Sequence, residues 1–352
     1  MADDFIQTLA DRVKDHAARK APLRIRGGGT KDFYGARTDG EPLDIAPYAG
    51  IVAYEPRELV LTVKAGTRLV DIEAALAAEG QMLPFEPPHF GDAATIGGTV
   101  AGNFSGPRRP YAGAARDFVL GARIVNGKGE DLSFGGRVIK NVAGYDVSRL
   151  MAGALGTLGV LTELSFKVLP KPPAEATLAL EMDEARMIET VNKWAGQPLP
   201  LSATAWEAGV LRVRLSGASS AVAAARARLG GSDVADGAAY WDALREHRLP
   251  FFAMDKPLWR LFVAQTAAPV RFAHPQLVEW GGGQRWVSGA LEPGNARKAA
   301  AGAKGHATLF RGGDRSAGVF HPLAPAIAKI HGRLKAAFDP AGILNPGRMD
   351  NF

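Results

Sequence analysis

Three glycine-rich stretches place the strongest limit on what this 352-residue chain folds into. They are Arg26-Gly27-Gly28-Gly29-Thr30, then Ala94-Thr95-Ile96-Gly97-Gly98-Thr99-Val100-Ala101-Gly102-Asn103, then the run KNVAGYDVSRLMAGALGTLGV from Lys140 to Val160. In the last, Gly153, Gly156 and Gly159 recur at every third residue. Glycine loses more conformational freedom on folding than any other residue, so such runs suit places where the backbone needs unusual dihedrals or close approach. Consecutive glycines turn backbone N–H groups inward as a nest for a diphosphate, and Thr30 adds a hydroxyl to that loop. In the second stretch, small residues clear room for a flat ring or a phosphate, with Thr95 and Asn103 as the polar groups that orient it. In the third, Asp146 and Arg149 read as loop anchors. No GxxxxGK[ST] occurs, and no GxGxxG links a strand to a helix, so the P-loop and Rossmann readings both fail.

Composition narrows the chemistry further. The chain has no cysteine, which excludes disulfides, thiolate-held iron–sulfur clusters, Cys-based zinc sites and a Cys nucleophile. Any iron–sulfur relay must sit in another chain. The net charge of +6 is spread thinly, and Arg108-Arg109 is the only basic pair in its loop, which argues against a nucleic-acid binder. The most apolar run, Leu150 to Thr162, stops at Glu163, short of the ~18–20 residues a bilayer demands. The opening residues carry Asp3 and Asp4 and read as an amphipathic helix rather than a secretory signal, so the expected location is cytoplasmic.

Residues 23–26 read as a strand feeding the first glycine loop, 59–64 as another, and 68–78 as a helix with Leu69, Ile72, Ala75 and Leu76 at helical spacing. VLGARIV, Asn126-Gly127-Lys128-Gly129 and EDLSF form a hairpin signal, and 159–168 is a last strand of this half. Pro170-Lys171-Pro172-Pro173 is a stiff boundary. Beyond it come a strand (ATLALEM), a helix with Met187, Ile188, Val191 and Trp194 on one face, and VLRVRL, whose Arg212 and Arg214 are expected to solvate the outer face of a sheet. SSAVAAARARL reads as a helix opened by a serine cap. This is the rhythm of a ferredoxin-like split βαβ layer. The expected organisation is a first domain over 1–172, a second over 173–335, and a tail over 336–352.

The ordered set RGGGT, ATIGGTVAGN, RDFVLGARIVNGKGE and KNVAGYDVSRLMAGALGTLGVLTE, with the tail FDPAGILNPGRM (338–349), resembles the FAD-binding domain of the vanillyl-alcohol-oxidase/PCMH superfamily of FAD-linked oxidases. The spacing of PPHFGDAATIGG, SGPRRPYAGAARDFVLG and GHATLFR (305–311) is similar to the FAD-binding subunits of glycolate oxidases. The resemblance implies an α+β fold: a PCMH-type FAD domain of two α/β subdomains, then an antiparallel-sheet cap. It implies that Arg26, Gly27, Gly28, Gly29, Thr30 and Lys31 form the pyrophosphate loop. Pro88, Thr95, Gly97, Gly98, Ala101 and Asn103 would line a second phosphate contact and the isoalloxazine. Gly156, Gly159 and Val160 would hold the adenine and ribose end, and Asn345-Pro346-Gly347 would return the C-terminus to this domain. Many relatives place a flavin-linking histidine where this chain has Thr30, so the expected FAD is noncovalent.

Catalytic relatives carry HxGDGNxH and EHG segments that bind a metal and the substrate, and this sequence has neither. Its seven histidines, at 16, 89, 247, 274, 306, 321 and 331, contain no metal-ligand spacing, so no metal site is expected. Weak catalytic candidates remain: His306 and Arg311 in GHATLFR, and Arg108 and Arg109 as carboxylate-binding arginines. Two readings follow. One is an FAD-binding subunit of a multi-subunit glycolate (2-hydroxy-acid) dehydrogenase, working with a catalytic flavoprotein subunit and an iron–sulfur subunit, and peripheral to the inner membrane only through that complex. The other is a self-sufficient FAD oxidoreductase on another small substrate, or a scaffold whose flavin site is not used.

Overall fold

A computed structural model describes residues 2–136 and 146–349. The chain divides into two compact units: the first comprises 1–104, 114–170 and 322–352, the second 105–113 and 171–321. The change of unit falls at Pro170/Lys171, two residues before the boundary expected at 172/173. Two further features differ from the expected segmentation. The chain re-enters the first unit at Pro322, ahead of the expected 336, and the SGPRRPYAG segment is an excursion into the second unit.

In the first unit, the opening helix Ala2–Arg19 buries Ile6, Leu9 and Val13. Strand Leu23–Arg26 pairs in parallel with Glu41–Asp44. A separate five-stranded antiparallel sheet runs in the order Ile51–Glu55, Val60–Lys64, Val160–Lys167, Val119–Val125, Asp131–Gly135. The aliphatic run of Val60–Lys64 is central and covered on both faces, which is why it reads as continuous rather than alternating. Helix Leu69–Ala78 buries Leu69, Ile72 and Leu76 completely, three of the four positions that helical spacing put together, and leaves Ala75 half-buried. The tail is fixed by helix Pro325–Phe338. Lys335 Nζ donates to the Thr157 and Leu344 carbonyls at 2.8 and 2.9 Å and pairs with Asp339 at 2.6 Å. Asp339 in turn accepts from the N–H groups of Ile343 and Leu344.

The second unit is an eight-stranded antiparallel sheet in the order Ser232–Asp233, Ala174–Glu181, Val210–Gly217, Leu201–Glu207, Gln276–Glu279, Gln284–Ser288, Leu258–Phe262, His306–Arg311. Helices Glu184–Ala195 and Ser219–Leu229 pack on it through Met187, Ile188, Val191, Val222 and Ala225 against Leu178, Leu211, Val213 and Leu215. Helix Pro293–Gly302 does the same for the far strands through Ala296 and Ala300. The first of these helices starts at Asp183, whose carboxylate accepts the Arg186 N–H at 2.8 Å. The expected serine cap on Ser219–Leu229 is absent, because Ala218 occupies that position and both serines lie inside the helix.

The expectation for Arg212 and Arg214 is corrected. Helix Gly237–Arg245 covers their face of the sheet: Arg212 lies 4.6 Å over the Tyr240 ring and Arg214, buried, 5.3 Å over Trp241. Trp241 Nε1 fixes that helix by donating to Thr177 Oγ1 at 2.9 Å. Alternation marked the two faces correctly, but the covering helix lies about thirty residues downstream, where a local pattern carries no information about it.

The same sheet buries Glu279. Its carboxylate accepts from Trp286 Nε1 at 2.5 Å and Gln284 Nε2 at 3.1 Å, and burial outweighs both bonds, pushing the pKa up to about 7 from 4.5. Between those two values the folded protein keeps a proton that the unfolded chain has released. Stability therefore falls as pH rises from about 4.5 to about 7 and levels off above that. Glu279→Gln keeps an oxygen for both donors without the charge. It is expected to flatten this part of the profile and to gain on the order of 3 kcal/mol at pH 8, an upper bound from the full shift. Urea unfolding between pH 5 and 8 checks this, and an unchanged slope in the variant would contradict it.

Candidate functional site

The first glycine loop follows directly from strand Leu23–Arg26. Its N–H groups at Gly27, Gly28, Gly29 and Thr30 donate to no acceptor among the described residues. Four successive N–H groups without an acceptor on a half-buried loop leave positive partial charge available to an anion such as a diphosphate. Arg26 folds back beside it, held to Asp32 at 3.0 Å. The Thr30 hydroxyl is not part of that donor set: it donates to the His89 carbonyl at 2.8 Å, and Lys31 Nζ reaches the same oxygen at 3.1 Å. Thr30 and Lys31 therefore tie the first loop to the segment leading into the second.

The two loops are in direct contact. A Cβ on Gly27 would stand 2.4 Å from Thr95 Oγ1, and one on Gly28 would stand 1.5 Å from the Ala93 carbonyl. The second stretch forms the short helix Ile96–Gly102, whose first turn is answered from within the protein. Ile96 N–H donates to Thr67 O, Gly97 N–H to Ala65 O at 2.8 Å, and Gly98 N–H to Thr95 Oγ1 at 3.3 Å. Gly97 is glycine for close packing, since its Cβ would fall 2.8 Å from both Ala65 Cβ and Ala65 O. Pro88, Thr95 and Gly97 are buried, whereas Gly98, Ala101 and Asn103 stay partly open. Asn103 ends the helix in the left-handed region (φ 51°), and its Oδ1 accepts from Arg116 N–H.

The third stretch closes on the second. Gly153 N–H donates to Val100 O at 3.0 Å and Leu155 N–H to Ala101 O at 2.9 Å. Asp146 caps the turn Val147–Leu150 and pairs with Arg149 at 2.9 Å, the anchoring role expected of both. The part of this stretch from Lys140 to Tyr145 lies outside the described residues. Asn345 of the tail joins the first and third stretches: its Oδ1 accepts Ile25 N–H at 2.7 Å, and its Nδ2 donates to Leu155 O at 2.7 Å. Gly156 (φ 73°) leaves room for that amide, whose Nδ2 would be 2.7 Å from a Cβ. The adenine-end expectation fares differently. Gly156, Gly159 and Val160 are buried, and Gly159 is pressed on Ile124 and the Val125 carbonyl, so these three offer packing between strands rather than an open surface.

The four catalytic candidates all lie in the second unit. Arg108 is buried and paired with Glu175 at 2.6 Å. Arg109 stacks over Trp280 at 4.4 Å and Phe262 at 5.1 Å. His306 opens its strand with its ring 5.6 Å from that of Phe262; burial, then Arg260 and His321, push its pKa below the ordinary imidazole value. Arg311 closes the same strand and is buried. No group of three or more His, Asp or Glu side chains is placed to hold a metal among the described residues. Residues that sequence reasoning missed here are Ala93, whose carbonyl sets the loop contact, and His89, whose carbonyl receives Thr30 and Lys31; neither side chain carries a signal for a role played by backbone.

A Gly28→Ala substitution is expected to force the first two loops apart, costing at least ~2 kcal/mol and weakening FAD binding tenfold or more. Gly98→Ala, whose Cβ meets only Thr95 Oγ1 at 3.3 Å, is expected to leave stability unchanged or slightly raised. Urea unfolding with flavin titration measures both, and equal behaviour of the two variants would contradict the loop contact.

Residues 6–135 match the family model described as FAD binding domain. The glycolate oxidase subunit GlcE of Escherichia coli K12 is 46% identical over 346 residues, covering 98% of this chain and 97% of that one. The glycolate oxidase subunit GlcD of Bacillus subtilis is 34% identical over 177 residues, 50% of this chain and 37% of its own length. Among solved structures, p-cresol methylhydroxylase with substrate bound superposes with a TM-score of 0.71 over 98% of this chain and 87% of that one, at 16% identity. With the α+β architecture and the flavin-type loops in place, that identity over nearly the whole length makes the chain a member of the GlcE family of FAD-linked oxidase subunits.

Proposed function

We propose that this chain is the FAD-carrying subunit of a glycolate (2-hydroxy-acid) oxidase, that it holds FAD noncovalently, and that it works beside a catalytic flavoprotein subunit and an iron–sulfur subunit. The observation that carries the reading is the nest of four unanswered N–H groups at Gly27–Thr30, pressed against the Thr95 helix start. The residues fit a flavin dinucleotide in kind. The N–H groups suit two phosphates, Lys31 adds positive charge beside them while that of Arg26 is offset by Asp32, and Gly98, Ala101 and Asn103 supply a small-residue, partly open surface. FAD supplies two-electron redox chemistry that no side chain of this protein can provide. What the chain contributes is binding and orientation. Thr30 and Lys31 hold the first loop through the His89 carbonyl, and Asn345 fixes the strand that feeds it to the third loop.

The resemblance puts Thr30 where many FAD-linked oxidases carry a linking histidine, and the chain has no cysteine, which supports noncovalent attachment. The same lack of cysteine puts onward transfer through iron and sulfur in another chain. The similarity to GlcE supports glycolate as the substrate of the assembly, and its designation as a subunit supports partners. No helix among the described residues is long and apolar enough to cross a membrane, so any membrane association is proposed to run through those partners.

Precipitation with trichloroacetic acid is expected to leave the yellow cofactor in the supernatant; colour retained in the pellet would contradict noncovalent binding. The isolated chain is expected to bind FAD yet give no glycolate-dependent dye reduction until the partner subunits are added. Robust turnover by the chain alone would overturn the carrier role.

A further inference from the structure

Helix Pro325–Phe338 is fastened through its last turn. Lys335 bonds to Thr157, Leu344 and Asp339, and the Phe338 ring stands edge-on to Phe134 at 6.4 Å. None of its 14 residues is buried, and Ala324 at its start supplies no side-chain cap. A helix of this length is marginal in water by itself, because most helical stability in proteins comes from packing an apolar face. Gly332 weakens it further, and a Cβ at that position would meet open space.

The sequence nevertheless carries such a face. Ile327, Ile330 and Leu334 follow the three-then-four spacing that lines up one side of a helix, and Leu323 stands one turn ahead, just outside it. Leu334 is half-buried, whereas Leu323, Ile327 and Ile330 are 41%, 45% and 51% exposed. Half of the six large apolar side chains exposed among the described residues are therefore gathered on this one stripe, where single scattered ones would need no explanation. Lys329 and Arg333, four residues apart, run along one edge of the stripe and make no ion pair among the described residues. No Asp or Glu occurs from Pro322 to Phe338.

We propose that this stripe is the docking surface for an amphipathic helix of a partner subunit, one with aliphatic residues at matching spacing and Asp or Glu along its flank. The width of the stripe selects a helix. One or two large aliphatic residues per turn make a narrow seam, not the broad face with aromatic anchors of a helix lying in a membrane interface. The charge selects the partner. A second copy packed antiparallel would set Lys329 and Arg333 against their own kind, and one packed parallel would leave them unpaired, whereas an acidic flank answers both. The inference rests on the reading of this chain as one subunit of an assembly, and it adds a surface through which the chain is held there.

The test titrates the catalytic flavoprotein and iron–sulfur subunits, co-expressed and purified together, onto the immobilised full chain. Replacing the seam with Ile327→Gln and Ile330→Gln together is expected to raise the Kd ~10-fold or more. Lys329→Glu with Arg333→Glu is expected to weaken binding comparably and to remove most of its dependence on sodium chloride between about 50 and about 300 mM. Gly332→Ala, on the open side of the same helix, is expected to leave the Kd unchanged or lower it. All three variants change exposed positions, so FAD content and Tm close to wild type are expected and establish that the fold is intact. Partner binding that survives both double variants would overturn the proposal and leave the subunit reading standing; no binding by wild type would overturn both. Pelleting with phosphatidylglycerol vesicles, or a dimer of the chain alone, that the paired Gln variant abolishes would assign the stripe to lipid or to a second copy and overturn it as well.

Discussion

The close approach of Gly28 to the Ala93 carbonyl governs the first unit. With a side chain excluded at that point, the first and second glycine stretches press together, and the backbone that turns through Gly27–Thr30 is left with four N–H groups that no described residue satisfies. On this half-buried loop such groups are left to water or to an anion that takes its place. Much of the rest serves that contact. Thr95 spends its hydroxyl on Gly98, Thr30 and Lys31 converge on His89 O, and Asn345 links the strand before the loop to the backbone after Gly153.

The division of labour between glycines is finer than their number suggests. Gly27 and Gly28 open a surface by letting two loops meet, whereas Gly97 and Gly159 are sealed inside by Ala65 and by Ile124. Both kinds look alike in sequence, because a missing side chain does not say whether a ligand or another strand fills the space. Donor accounting separates them: the N–H of Gly97 is answered by Ala65, and those of Gly27–Thr30 are not.

Sequence periodicity was most informative where each element's environment is local. The strand Val60–Lys64, the helix Leu69–Ala78 and the hairpin through Asn126-Gly127 follow from aliphatic spacing and turn residues within a short window. The resemblance of ordered motifs supplied the flavin-type architecture and the return of the tail. What stayed hidden depends on distant segments. Arg214 is covered by a helix that starts at Gly237, Glu279 receives bonds from Trp286 and Gln284 across a sheet, and the far strands of that sheet carry mixed, polar-interrupted sequences with no clean alternation. The candidate site divides the same way. Its loops were legible as glycine runs, while its fastening by backbone carbonyls at Ala93 and His89 left no mark on residue identity.

Hydrogen–deuterium exchange of the full chain with and without FAD addresses the central claim most directly. The account expects FAD to slow exchange across residues 26–31 by tenfold or more, with a smaller effect near 98–103, because the unanswered N–H groups acquire acceptors. Unchanged exchange at 26–31 when FAD is bound, with protection confined to other segments, would contradict it.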